Sequence, residues 1–394
     1  MMRQMLAKSG ITVLLIGSQF AFSGQEPLFN SSTTIPDNEY SLLSISTTST
    51  KNAALFQAQS IYPTGNRPNA IAKGDFNGNG RLDLAISNFN SNSVSILEGK
   101  GDGTFLVKAT YATGINPNAI TSGDFNGDKI LDLAVVNKGS NSVSILLNNG
   151  TGLYLPQSTY ATGAQPDSIK LADFNGDGFL DIAITNKGSN TVSILGGIGD
   201  GTFGTQSTYA TGINPQGIAI GDFNKDGKLD LAITNSGSNT VSILMGNGDG
   251  TFKTQSVYAT GANPTGIVVG DFNKDGTLDL AITDSGSNKV SILLGNGDGT
   301  FRAQSTYACG NKPTGIVAGD FNKQGKLDLA ITNSGSNTVS ILMGNGDGTF
   351  QSQSTYTTGL HPYGIVEADF NGDGNLDLAI TNAANNTVSI LLGN

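Results

Sequence analysis

The chain has 394 residues, with 31 acidic side chains against 21 basic ones, a formal net charge of −10 and one cysteine. No basic surplus is available to neutralise a phosphate backbone, so a nucleic-acid partner is excluded, and a single thiol excludes any internal disulfide. Fifty-four glycines recur along the chain and no stretch keeps a 3.6-residue apolar period, which excludes a helical architecture.

Residues 1–23 read as a secretory signal. Arg3 and Lys8 precede a short apolar run over residues 11–17, and Ala21-Phe22-Ser23 offers a small-x-small cleavage site. That run falls far below the roughly 20 residues of a membrane span, and no later segment is apolar enough to make one. Residues 24–51 are rich in Ser and Thr, share no repeat with the rest of the chain, and read as a flexible leader. The expected location is therefore secreted: extracellular, or periplasmic.

From residue 52 to 394 a 49-residue unit repeats seven times. In the fourth unit, residues 217–221 form a small β-prone segment leading into an acidic loop. A second apolar run follows over 229–234, then the turn Asn235-Ser236-Gly237-Ser238-Asn239. Residues 240–244 alternate polar and apolar, as a half-buried strand does. The turn Gly246-Asn247-Gly248-Asp249-Gly250 leads to a last strand over 252–258. Four short strands in a unit of this length describe one propeller blade. The expected fold is an all-β, seven-bladed β-propeller.

The seventh unit reaches Asn394 without its fourth strand, whereas residues 56–62 carry that strand's Phe56 and Tyr62. The N-terminal strand is expected to complete the last blade and latch the ring. An open solenoid would need atypical capping repeats, and neither end of the repeat array has one. The recurrent aromatics (Phe203 with Tyr209, Phe252 with Tyr258) are expected to pack between blades, and the recurrent proline to set the crossover turn.

Each unit carries a nine-residue loop in which positions 1, 3, 5 and 9 offer side-chain oxygens and position 7 a backbone carbonyl. Glycine at position 6 permits the sharp turn. Such a set suits Ca²⁺, which takes six to eight oxygens in flexible geometry, better than Mg²⁺, which demands an octahedron and retained waters. Four loops are complete: Asp173, Asn175, Asp177, Phe179 and Asp181; Asp222, Asn224, Asp226, Lys228 and Asp230; Asp271, Asn273, Asp275, Thr277 and Asp279; and Asp369, Asn371, Asp373, Asn375 and Asp377. In the first loop (Asp75, Asn77, Asn79, Arg81, Asp83) an amide stands at position 5, one charge fewer. In the second (Asp124, Asn126, Asp128, Ile130, Asp132) Lys129 replaces the turn glycine. In the sixth (Asp320, Asn322, Gln324, Lys326, Asp328) position 5 is a longer neutral amide. Up to seven calcium ions are expected, with weaker binding at these three. The loops hold 19 of the 31 acidic residues, so the charge is gathered where a cation neutralises it. Cys309 stands where another copy has Thr260 and reads as a neutral replacement.

The run D-F-N-G-D-G-x-L-D-[LI]-A-[IV], followed by S-N-T-V-S-I-L and G-N-G-D-G-T-F, resembles the FG-GAP/VCBS repeat. That family includes the seven-bladed propeller of the integrin α-subunit head, many secreted bacterial proteins and some fungal lectins. The resemblance covers about residues 52–394. It implies calcium in these loops and a binding role through adhesion or sugars.

Strand parity puts the acidic loops and the Gly-Asn-Gly-Asp-Gly turns on one face of the ring. The Ser-Asn turns and the Thr-Gly-x-x-Pro crossovers lie on the other. Before the proline the residue varies, and ring closure should bring Arg67, Lys312 and His361 together, with Tyr363 beside them, as a basic and aromatic patch for a ligand. No open site with a general base is visible, so the expected function is a non-catalytic binding module for a glycan or an extracellular protein, monomeric, with structural calcium. Two alternatives stay open. A polysaccharide lyase or dehydratase would have to use His361 and Glu367, and a surface-layer component would need only the repeats. The absence of Trp leaves tyrosines to stack on any sugar.

Overall fold

The computed structural model describes residues 54–394, so the expected signal and leader lie outside the described residues. Twenty-eight strands form seven four-stranded antiparallel sheets, and no helix occurs among the described residues. Six sheets are consecutive in sequence. The seventh takes its outer strand, Ser60–Pro63, from the other end of the chain, paired against Thr387–Leu391 with Tyr62 opposite Val388. The N-terminal strand thus closes the ring, as the repeat count requires.

Burial follows position within the blade. The second strand of every blade is buried at all six residues, as Asp230–Asn235 is, because neighbouring blades cover both of its faces. Outer strands such as Ser256–Ala259 are mostly exposed. The apolar cores form between adjacent blades. Ala219, Phe223, Val241 and Ile243 of blade 4 pack with Ile267, Leu280, Ile282 and Phe301 of blade 5. Phe301 meets Phe223 and Tyr258 edge-on, at centroid distances of 5.6 and 5.5 Å. The same aromatic triad recurs around the ring, so the repeated Phe and Tyr do pack between blades.

Two further devices hold the blades in register. Threonine hydroxyls on second strands donate to the inner strand of the next blade: Thr185 to the Gln216 carbonyl (2.6 Å), Thr234 to Thr265 (2.7 Å) and Thr332 to Tyr363 (2.7 Å). Thr381 donates likewise to the Asn69 carbonyl (2.8 Å), so this belt crosses the closure from blade 7 to blade 1. Within blades, the buried Asn235 amide donates to Ser242 and Thr240 (2.8 and 3.2 Å), pinning the turn after the second strand.

The outer strand differs from the expected 252–258. Phe252 makes one isolated bridge to Gly246, and the regular strand starts only at Ser256. In between, the Gln255 side-chain carbonyl turns inward to accept the buried Ser242 hydroxyl, which lifts the segment out of the ladder. Blade 1 supplies the control. Lys108 replaces that glutamine and reaches Glu98 instead (3.1 Å), and there the outer strand continues from Phe105 to Ala112, with only a register shift at Lys108.

Candidate functional site

The acidic loops fold by capping their own backbone. In blade 5, Asp271 accepts the amides of Asp275 (3.1 Å) and Gly276 (2.9 Å), Asn273 accepts the Asp275 amide (2.9 Å), and Asp275 accepts the Thr277 amide (2.8 Å). The first, third and fifth side chains are therefore drawn into one tight turn. Asp279, fully buried, accepts Phe272 N–H (2.9 Å) and Gly295 N–H (2.8 Å), tying the loop to the turn between strands three and four. Burial outweighs those two amides and pushes its carboxyl up to about 6, as at Asp83, Asp132 and Asp328.

The variant loops keep this frame. Lys129 adopts φ 67 in place of glycine, and its amide still reaches Asp124 (2.8 Å). Gln324 keeps its backbone bond to Asp320 (2.9 Å). Among the described residues no three carboxylates, imidazoles or thiolates converge as a metal cluster. The donor set is mixed: carboxylate, amide oxygen and backbone carbonyl. All are hard oxygen donors, which fits a calcium-type cation. At position 9 such a cation would share oxygens already engaged by amides.

On the crossover face, all seven residues preceding the prolines take a left-handed backbone, from Gln165 (φ 49) to Arg67 and Asn116 (φ 55). The N–H of each of Arg67, Lys312 and His361 is held by an asparagine side chain of the preceding blade, at 2.8–2.9 Å. The Arg67 guanidinium lies 4.5 Å from the Phe89 ring centre. Arg67, His361 and Tyr363 line one cavity of about 350 Å³, together with Ser334 and Ala383. Lys312 is not part of its lining. The structure thus joins three of the four expected patch residues.

Sequence reasoning missed the position after the proline. Asn69, Asn118, Asp167, Gln216, Thr265, Thr314 and Tyr363 form a ring at the crossover end of the central axis, around a cavity of about 150 Å³. The seven blades carry five residue types at this position, and that variation is readable in the aligned repeats; only Tyr363 stands out there by its side chain. Asn69 donates to Asn118 (3.0 Å) and Asn118 to the Asp167 carbonyl (2.7 Å), so neighbouring blades are stitched at this level. Lys138, on a neighbouring turn, pairs with Asp167 at 2.5 Å. Lys170, on the same inner strand as Asp167, is solvent-exposed although protein surrounds it; desolvation pulls its ammonium below the usual lysine range. Glu367 pairs with Lys73 (3.2 Å) rather than with His361.

A third arrangement lies on the outer rim. Where the glutamine segment leaves the ladder, a cavity opens between adjacent blades. Those lined by Tyr111, Tyr154 and Gln157, by Tyr160, Phe203 and Gln206, and by Tyr209, Phe252 and Gln255 measure about 400, 400 and 240 Å³.

The profile of the FG-GAP-like repeat matches six overlapping stretches, residues 75–135, 124–184, 173–233, 222–282, 271–331 and 320–380. No curated protein matches the chain. Among solved structures, BBS1N in complex with ARL6DN is similar at 13% identity and TM-score 0.64, over 86% of this chain and 98% of that one. An Agrocybe aegerita lectin, specific for non-reducing terminal N-acetylglucosamine, is similar at 18% identity and TM-score 0.53, over 84% and 97%. A catalytically inactive virginiamycin B lyase from Staphylococcus aureus with quinupristin is similar at 15% identity and TM-score 0.59, over 85% and 99%. At these identities the likeness carries the fold alone.

Proposed function

The chain belongs to the family of FG-GAP-like repeat proteins, and we propose that it is a secreted, non-catalytic binding module that presents repeated carbohydrate sites on a calcium-stabilised ring. The observation that carries this reading is the recurrence of rim cavities at the 49-residue period, each pairing aromatic rings with a glutamine segment. Tyrosine faces suit the C–H surface of a sugar, and side-chain amides and hydroxyls suit its O–H groups. Identical weak sites on one rigid ring gain avidity on a repetitive target without any new contact.

In this reading calcium acts as scaffold. It would be held by the first, third and fifth side chains of each loop, with the position-7 carbonyl and the ninth carboxylate, and it would neutralise a face otherwise crowded with carboxylates. The non-catalytic part rests on Glu367 being engaged by Lys73 and on the near-equivalence of the blades, whereas acid–base chemistry requires one special constellation. The signal-like N-terminus supports secretion.

A glycan array with the calcium-loaded protein, repeated after chelation, tests this. The expected result is binding to a defined sugar class that is lost on chelation. A blank array from folded, calcium-loaded protein would refute the carbohydrate reading and leave a protein partner or a structural role.

A further inference from the structure

The two faces of the ring carry opposite charge. The acidic loops occupy one. The turns and crossovers of the other carry Arg67, Lys138, Lys187, Lys289 and Lys312, opposed among the described residues only by Asp167 and the buried Asp284. Such a face draws anions. At the seam where blades 6, 7 and 1 meet it opens into the cavity of about 350 Å³ whose lining includes Arg67, Ser334, His361, Tyr363 and Ala383, and no carboxylate. The Arg67 guanidinium enters no ion pair and no side-chain hydrogen bond among the described residues. It leans on the Phe89 ring instead, 4.5 Å from its centre, which leaves its N–H edge free. The backbone under both basic side chains is already fixed. Arg67 N–H donates to Asn386 (2.8 Å) and its carbonyl accepts Phe89 N–H (2.9 Å); His361 N–H donates to Asn337 (2.9 Å) and its carbonyl accepts Ala383 N–H (3.0 Å). Little backbone ordering is left for a ligand to impose. Room for that ligand comes from the turn of blade 7, where small Ala383 stands at the repeat position of Phe89, Lys138, Lys187 and three serines.

We propose that this seam is a single site for a sugar acid, bound through its carboxylate and separate from the rim cavities. Arg67 takes the carboxylate through two parallel N–H bonds, the geometry that a planar guanidinium fork matches. A ring N–H of His361 and the Ser334 hydroxyl meet sugar hydroxyls, and the exposed Tyr363 ring offers a face to the C–H surface. The volume sits at the lower end of the roughly 300–1,000 Å³ of small-molecule sites, which suits one sugar unit. One guanidinium, with no lysine in the lining, matches a single negative charge better than a phosphate dianion. The site occurs once because Arg67 and His361 are each unique at a repeat position that elsewhere holds Asn116, Gln165, Asn214, Asn263 and Lys312. It does not depend on the rim cavities.

Calorimetric titration of the full chain in calcium-containing buffer with D-glucuronate tests it, with D-glucose as the neutral control and D-glucose 6-phosphate as the dianion. The expected result is one site per chain, tighter for glucuronate than for either control and weakened by added salt. Arg67→Asn should weaken it at least about tenfold, as loss of a charge-assisted hydrogen bond implies. That variant keeps the fold, since Asn116 and Asn214 hold the same left-handed backbone at this position (φ 55 and 54). His361→Asn, designed on the same ground, should weaken binding as well. Lys289→Thr removes a charge from the same face in blade 5, restores the residue of Thr240 and Thr338, and should leave binding unchanged. Absence of glucuronate binding, equal binding of glucose, tighter binding of the phosphate, or binding untouched by Arg67→Asn would overturn the proposal. So would an equal loss in Lys289→Thr, which would mean general attraction to the face, or several sites per chain, which would assign binding to the repeated rim cavities.

Discussion

Asp284 shows how one atom can break the symmetry of a repeat. It stands where Asn88, Asn137, Asn186, Asn235, Asn333 and Asn382 stand in the other blades, is fully buried, and receives the Ser291 hydroxyl at 2.5 Å on one oxygen while the other has no partner. Desolvation pushes its carboxyl up to about 6. A raised folded-state value means that the native chain binds this proton more tightly than the unfolded chain. Stability from this group is thus greatest below about pH 4 and falls as pH rises through 6. Asp284→Asn should raise stability near pH 7 by about 3 kcal/mol, an upper figure for a carboxyl moved from about 4 to about 6, and the gain should vanish near pH 4. Urea melts of both proteins at the two pH values check it; an equal difference at both would contradict it. Lys129 is the converse case, a side chain at φ 67 where the other loops have glycine. Lys129→Gly should stabilise by about 1 kcal/mol, the usual scale of left-handed strain, read as a higher urea midpoint at unchanged slope.

At the scale of elements, most of the blade is legible in sequence because the apolar pattern, the turn glycines and the period agree with one another. The third strand of blade 4, Thr240–Leu244, falls where alternation puts it, and the second, Asp230–Asn235, is displaced by one residue. The outer strand departs from its pattern over residues 253–255. Its interruption comes from the hydroxyl of Ser242 on the strand beside it, a tertiary partner that no local pattern announces. The axial ring is hidden for a related reason. Asn69, Asp167 and Gln216 are ordinary loop-like residues in sequence, and only closure brings them round one cavity. Closure itself can be tested at Phe56, 2% exposed and edge-on to Phe321 and Tyr356 at 5.8 and 5.4 Å. Phe56→Ala should destabilise by about 3–5 kcal/mol, as for other buried phenylalanines. It should also raise hydrogen exchange first in Thr387–Leu391, the strand the N-terminal segment covers. A uniform change across all blades would contradict the latch.

At the largest scale the described residues form a ring in which each blade is stabilised chiefly by its neighbours, so its blades are expected to unfold together. The loop face concentrates carboxylates whose mutual repulsion opposes folding in the absence of a cation, while the crossover face is basic and polar. A cation that binds only the folded loops contributes about 2.7 kcal/mol per site at a hundred times its dissociation constant. Even the four complete loops would then dominate the stability of a ring without disulfides. This makes a calcium titration of the metal-free protein, followed by both calorimetry and thermal melting, the most direct measurement. The expected result is at least four ions per chain and a large rise in melting temperature, reversed by chelation. A protein that binds no calcium, or that melts at the same temperature with and without it, would contradict the calcium scaffold on which the proposed function rests.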